Sequence, residues 1–166
     1  MSQPVQLRPV TRDDLPILAE IQSDPAANDM AAIKRQTPAA LVDFLSTWMF
    51  VPGTVARVVL ADGEVVGSIS CFDSDGMRTV GYWLARSHWG QGIASRALPL
   101  FLSEITDRPL YARVASTNQA SIRVLQKAGF TIERYQHSPA TDRYIECEEA
   151  VLVLRSGQRC SDLDRR

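Results

Sequence analysis

Residues 77–105, the most informative stretch of the chain, place a strand, a loop with two glycines and an amphipathic helix in immediate succession. The strand is expected from Met77 to about Ala85. The helix is expected over 91–105, where Ile93, Ala97, Phe101 and Ile105 form one row with Ala94, Leu98 and Leu102 beside it. Unpaired N–H groups at a helix start make an anion site. Gly90 and Gly92 would let that backbone approach a phosphate, and Ala94 leaves the next position unobstructed. The spacing matches neither a Walker loop nor a dinucleotide-binding G-x-G-x-x-G, and glycines before a helix describe a plain turn equally well. Pro99 lacks an N–H and is expected to kink the helix downstream of its first turn.

The rest of the chain extends this alternation. Gln6–Arg8 reads as a short strand ended by Pro9, and Thr11 with Asp14 as a helix-capping pair ahead of Leu15, Leu18, Ala19 and Ile21. Residues 22–37 lack apolar periodicity and read as loop. Thr37-Pro38 opens a helix carrying Leu41, Phe44, Leu45 and Trp48. Thr54–Leu60 and Glu64–Phe72 read as a hairpin turned at Asp62-Gly63, with Val65, Gly67, Ile69 and Cys71 on one side. Beyond the central helix follow a strand at Leu110–Ala115 and a helix at Asn118–Ala128 closed by Gly129. Strands at Phe130–Gln136 and Tyr144–Leu154 complete the pattern. The order βααβββαβαββ is an α/β arrangement on a mixed sheet of about seven strands with about four helices. One domain over residues 1–155 is expected, followed by a polar, disordered tail at 156–166.

Composition narrows the function classes. No apolar run approaches the ~20 residues of a membrane span, and no signal peptide is expected from Met1–Pro4. Cys71, Cys147 and Cys160 are odd in number and far apart, and only His88 and His137 accompany them, so no metal site is expected. The expectation is a reduced, cytoplasmic protein, monomer or homodimer, with no membrane or nucleic-acid partner. A net charge of −1 conceals a basic centre, since residues 78–127 hold seven basic and two acidic side chains. A centrally bound anion fits that bias, and so do scattered solvated charges.

The segment Trp89-Gly90-Gln91-Gly92-Ile93-Ala94 resembles the pyrophosphate loop [Q/R]-x-x-G-x-[G/A] of the GNAT superfamily of acyl-CoA-dependent N-acetyltransferases. Trp89 stands at its first position, a form similar to the branch that acetylates ribosomal-protein N-termini. Asn118-Gln119-Ala120-Ser121, continued by Lys127-Ala128-Gly129-Phe130, resembles a second family motif. Leu7-Arg8-Pro9 with Asp13-Asp14-Leu15 resembles the family's opening. The likeness spans residues 6 to about 154.

The resemblance implies a sheet splayed between strands 77–85 and 110–115 to hold acetyl-CoA. It implies cofactor contacts from Leu84, Ala85, Arg86, Trp89, Gly90, Gln91, Gly92, Ile93, Ala94, Asn118 and Ser121. The Leu84 backbone N–H would face the thioester carbonyl as an oxyanion donor, or serve only the strand ladder. Many members carry a tyrosine where this chain has Leu125, so Ser121 or a water would protonate the departing thiolate. Asn118 also reads as a helix N-cap that needs no ligand, and Ser121 as a solvated hydroxyl. His88 and His137 are candidate bases weighed against surface roles, and Glu133 and Glu146 lie toward the expected acceptor side. The acceptor would be a primary amine, a protein N-terminus or a small molecule. Acidic stretches at Thr11–Asp29 and Glu133–Glu149 would form a rim attracting it. The rival reading is a non-catalytic acyl-CoA-binding sensor.

Overall fold

The computed structural model describes residues 3–157. Most of the tail, with Cys160, lies outside them. Seven strands form one sheet: β1 (Val5–Pro9), β2 (Val55–Ala61), β3 (Glu64–Ser74), β4 (Met77–Leu84), β5 (Leu110–Ala115), β6 (Thr131–Ser138) and β7 (Cys147–Leu154). Their spatial order is β1-β2-β3-β4-β5-β7-β6. All neighbours are antiparallel except β4 and β5, which run parallel and pair only at Thr79 and Tyr111. The mixed sheet of about seven strands expected from the sequence is therefore present; it is mostly antiparallel and parts in the middle.

Five helices accompany the sheet: α1 (Leu15–Gln22), α2 (Pro25–Ala31), α3 (Pro38–Trp48), α4 (Ile93–Glu104) and α5 (Gln119–Lys127). The extra one, α2, falls in the stretch read as loop. Seven residues are too few to show amphipathic periodicity. Its ends are nonetheless well determined: Asp24 accepts from the Ala26 N–H at 3.2 Å, Pro25 opens the first turn, and Ala32 closes the helix left-handed. At the other end of the chain, β7 starts at Cys147 rather than Tyr144, because Tyr144 bridges to Ile33 instead. α4 continues through Pro99 to Glu104, and its first turn, upstream of the missing N–H, is intact.

Two apolar clusters cover the two faces of the sheet, as the neighbours Val58 and Val59 show by belonging to different ones. Phe101, Leu98 and Ile93 of α4 and Ile122 and Leu125 of α5 fill the first; α1 and α3 fill the second. The expected single-sided row Val65, Gly67, Ile69, Cys71 does not hold. A bulge in β3 opposite Val59/Leu60 inserts a residue and reverses the alternation. Val65 consequently packs with the second cluster, while Val66, Ile69 and Cys71 join the first.

Behind β1, Asp14 accepts two bonds from the Arg8 guanidinium, at 2.8 and 2.9 Å, and one from the Thr11 N–H at 2.8 Å. The Arg8 bonds are the main cause that lowers the Asp14 carboxyl to about 2. A depressed folded-state value stabilises the fold above the ordinary carboxylate pKa, and that contribution is lost as pH falls toward 2. Asp14→Ala should cost about 1.5–3 kcal/mol at pH 7 in urea unfolding. The difference from wild type should shrink below about pH 4; a pH-independent difference would contradict the charged pairing.

Candidate active site

The parallel arrangement of β4 and β5 supplies the opening, and the loop after β4 supplies its lip. Ala85 N–H donates to the Val66 carbonyl at 2.8 Å. Strand alternation therefore turns the N–H and C=O of Leu84 the other way, toward β5 and the gap. The Leu84 carbonyl accepts from the Trp89 indole N–H at 3.1 Å, which fastens the loop to the strand end. After a 3-10 turn at Arg86–His88, Gly90 and Gly92 take φ of 75° and 74°, a left-handed conformation that strongly favours glycine, and α4 begins. A Cβ at either glycine would meet nothing within 4 Å, so the loop has an open face.

A cavity of about 420 Å³ lies against this lip. Of the expected contacts, Leu84, Trp89, Gly90, Gly92, Ile93, Ala94, Asn118 and Ser121 line it, with Met30 and Ala27 of α2 on another side. Ala85, Arg86 and Gln91 do not. The Ala85 amide is used by Val66, the Arg86 guanidinium pairs with Asp24 at 2.9 Å, and the Gln91 side chain donates to the Ser87 carbonyl.

A second cavity, about 440 Å³, adjoins the first and shares Ala31, Tyr82, Trp83, Asn118 and Ser121 with it. Across this shared wall the Tyr82 hydroxyl donates to Ser121 Oγ at 3.0 Å. Burial pushes the Tyr82 phenol up, against a smaller opposing effect of the Ser121 bond. Sequence reasoning missed Tyr82, because nothing in the β4 pattern marks which side chain will meet a helix 39 residues later.

The carboxylates that line the second cavity are Asp75 and Glu149. Glu149 is buried, and Arg113 stands between the two, 2.9 Å from each, while Gln136 donates to Glu149 at 2.6 Å. Glu133 and Glu146 line neither cavity: Glu133 pairs with Arg134 and Arg155, and Glu146 with exposed His137 at 3.0 Å. His88 lines the first cavity, its Nδ1 3.0 Å from Ser87 Oγ. No carboxylate from residues 11–29 lines either cavity. Asp14, Asp24 and Asp29 are instead committed to Arg8, Arg86 and Arg35, so this half of the expected rim is absent from the site.

Asn118 is the N-cap of α5, its Oδ1 accepting from the Ser121 N–H at 3.3 Å, and it also lines both cavities. Asn118→Asp keeps the cap and replaces the amide donor with a negative charge. Near-normal melting with weakened acetyl-CoA binding is expected by calorimetry, and equal losses in both would leave Asn118 a cap only.

A sheet parted along a parallel pair, with an open glycine-cornered helix start at its lip, is the arrangement that the resemblance to acyl-CoA-dependent transferases implies. The family described as "Acetyltransferase (GNAT) domain" matches residues 5–131, and the chain belongs to that family. It is an N-acetyltransferase with acetyl-CoA as donor. Among solved structures, it is similar to aminoglycoside acetyltransferase AAC(6')-Ib in complex with coenzyme A. There the identity is 18% over 98% of this chain and 100% of that one, with a TM-score of 0.76. Spermidine N-acetyltransferase from Vibrio cholerae, with CoA and spermine, is 13% identical over 93% and 96%, with a TM-score of 0.78. Mycobacterium smegmatis RimJ with CoA-disulfide is 21% identical over 95% and 86%, with a TM-score of 0.73. At these identities the likeness is one of fold. No curated protein matches the sequence. Among the described residues no helix is long and apolar enough to cross a membrane, and no cluster of His, Cys, Asp or Glu could hold a metal.

Proposed function

We propose that the first cavity receives acetyl-CoA, the second receives a primary amine, and the acetyl group passes where the two meet. The observation that carries this reading is the shared wall at Tyr82, Asn118 and Ser121, facing a gap into which the Leu84 N–H points. The neutral amine attacks the thioester carbonyl, the C–N bond forms, and the C–S bond breaks. The Leu84 N–H supports the developing oxyanion, a contribution worth a few kcal/mol at such sites. The Ser121 hydroxyl donates to the departing sulfur. A thiol of pKa ~8.5 already leaves readily, so this acid speeds the step without being indispensable.

The acceptor favoured here is a single amine on an otherwise uncharged body, such as a protein N-terminal amine. Asp75 and Glu149 draw an ammonium inward, but Arg113 between them leaves little negative charge for a second or third cation. Aminoglycosides and spermine, which solved relatives of this fold are reported to bind, are polycations and fit that balance less well.

Free thiol released from acetyl-CoA should be followed with an uncharged peptide bearing a free N-terminus, with spermidine and with kanamycin. Faster release with the peptide is the expected result. Preference for either polycation would overturn the acceptor assignment. Tight CoA binding with no release for any amine would select the sensor reading.

A further inference from the structure

We propose that Tyr82 is a positioning residue for acyl transfer, its phenol aiming the Ser121 proton into the cleft and replacing it as it leaves. The inference rests on the reading above, in which Ser121 is the group that protonates sulfur.

The argument begins with the inventory of a hydroxyl, which has one proton to give and two lone pairs to accept with. Tyr82 Oη donates to Ser121 Oγ at 3.0 Å, so one lone pair of the serine is occupied and its own proton is directed elsewhere. The backbone of Ser121 is held separately, its N–H bonded to Asn118 Oδ1, so among the described residues Tyr82 alone supplies the bond that orients Oγ. Both side chains line both cavities, so the serine proton lies where donor and acceptor would meet. One turn further along α5, Leu125 is buried in the apolar core and offers no proton. Burial raises the Tyr82 phenol, so it keeps its proton through the neutral range.

Chemistry makes the second hydroxyl useful. An isolated alcohol is a far weaker acid than a thiol, and protonating a thiolate from it would leave an alkoxide in a half-buried site. A phenol, even one that burial makes less acidic than in water, is a far stronger acid than an alcohol and so the better ultimate source. As the C–S bond breaks, sulfur takes the Ser121 proton and Ser121 Oγ takes the Tyr82 proton in the same movement. The phenolate regains a proton from water, balancing the one that the attacking nitrogen releases. No electrons change hands beyond those bonds.

Tyr82→Phe keeps the ring and removes the hydroxyl. It should lower kcat by at least about tenfold, within the range of general acid catalysis, with KM for acetyl-CoA little changed. Ser121→Ala should lose a similar factor, and the double variant should be no slower than Ser121→Ala alone, since the phenol acts only through the serine. With an acetyl thioester of a more acidic thiol, both deficits should shrink, because a better leaving group needs less protonation. A packing role would instead give multiplying losses that do not depend on the leaving group. Full kcat in Tyr82→Phe, multiplying losses, or a deficit indifferent to the thiol would each overturn the proposal and leave acetyl transfer standing. Absence of thiol release by the wild type with every amine would overturn both. If Tyr82→Phe melts early, the leaving-group series on Ser121→Ala still decides: an unchanged deficit there removes the proton donor on which the relay depends.

Discussion

Gly92→Val should abolish measurable CoA binding in a protein that still unfolds cooperatively. At φ 74° the backbone is left-handed, which costs a residue with a Cβ about 1–2 kcal/mol, and more for a β-branched one. Nothing lies within 4 Å of the added Cβ, so the fold can accommodate the side chain. The damage falls on the open face of the loop, where the first N–H groups of α4 would meet the pyrophosphate. Losing two charge-assisted bonds of about 1.5–3 kcal/mol each corresponds to at least about a hundredfold weaker binding. Calorimetric titration with CoA gives the answer. Unchanged affinity in a folded variant would place the phosphates elsewhere.

Gly67→Ala should damage the fold itself. Gly67 pairs with Leu84 at the lip, and a Cβ there would overlap the Trp83 carbonyl oxygen and stand 3.0 Å from Leu84 Cα. Backbone atoms cannot swing aside as a side-chain tip can. Overpacking of this kind costs about 3 kcal/mol or more, and relief by parting β3 from β4 would displace the Leu84 N–H. Gly81, on the same β4, is the control: its Cβ would rest 3.6 Å from Phe72, an ordinary contact, so Gly81→Ala should be nearly neutral. Urea midpoints for the two variants that agree would refute the steric argument.

The legible parts of the chain were those in which local chemistry and tertiary role coincide. The apolar row of α4, the glycines at 90 and 92 and the Asn118 cap each announce themselves within a short, continuous stretch of chain. Of the residues they mark, Gly90, Gly92, Ile93 and Asn118 line the first cavity. α2 carried a usable signal, because Asp24-Pro25 repeats the cap-and-proline logic of Thr37-Pro38, but without a periodic stretch behind it the signal had no support. What escaped were side chains whose meaning depends on distant partners. Arg86, expected from the resemblance among the cofactor contacts, is paired with Asp24. Glu149 was one acid in a run of several, and only the register that sets it opposite Ala115 brings it to the second cavity. The bulge in β3 was equally silent, since an inserted residue leaves no compositional mark.

The lone β4–β5 rung at Thr79 and Tyr111 has a mechanical consequence. The sheet consists of a four-stranded leaf and a three-stranded leaf, and ladder bonds barely resist a change in the angle between them. That angle is set by the apolar layer beneath, where α4 and α5 pack into a single cluster reaching strands of both leaves. The width of the gap between the two leaves is thus a property of helix packing, tuned by core residues such as Phe101 and Leu98 that line neither cavity. A molecule filling the slot acts as the missing mortar. Amide hydrogen exchange should slow along the facing edges of β4 and β5 on CoA addition, while the β2–β3 ladder, already paired along its length, keeps its rates.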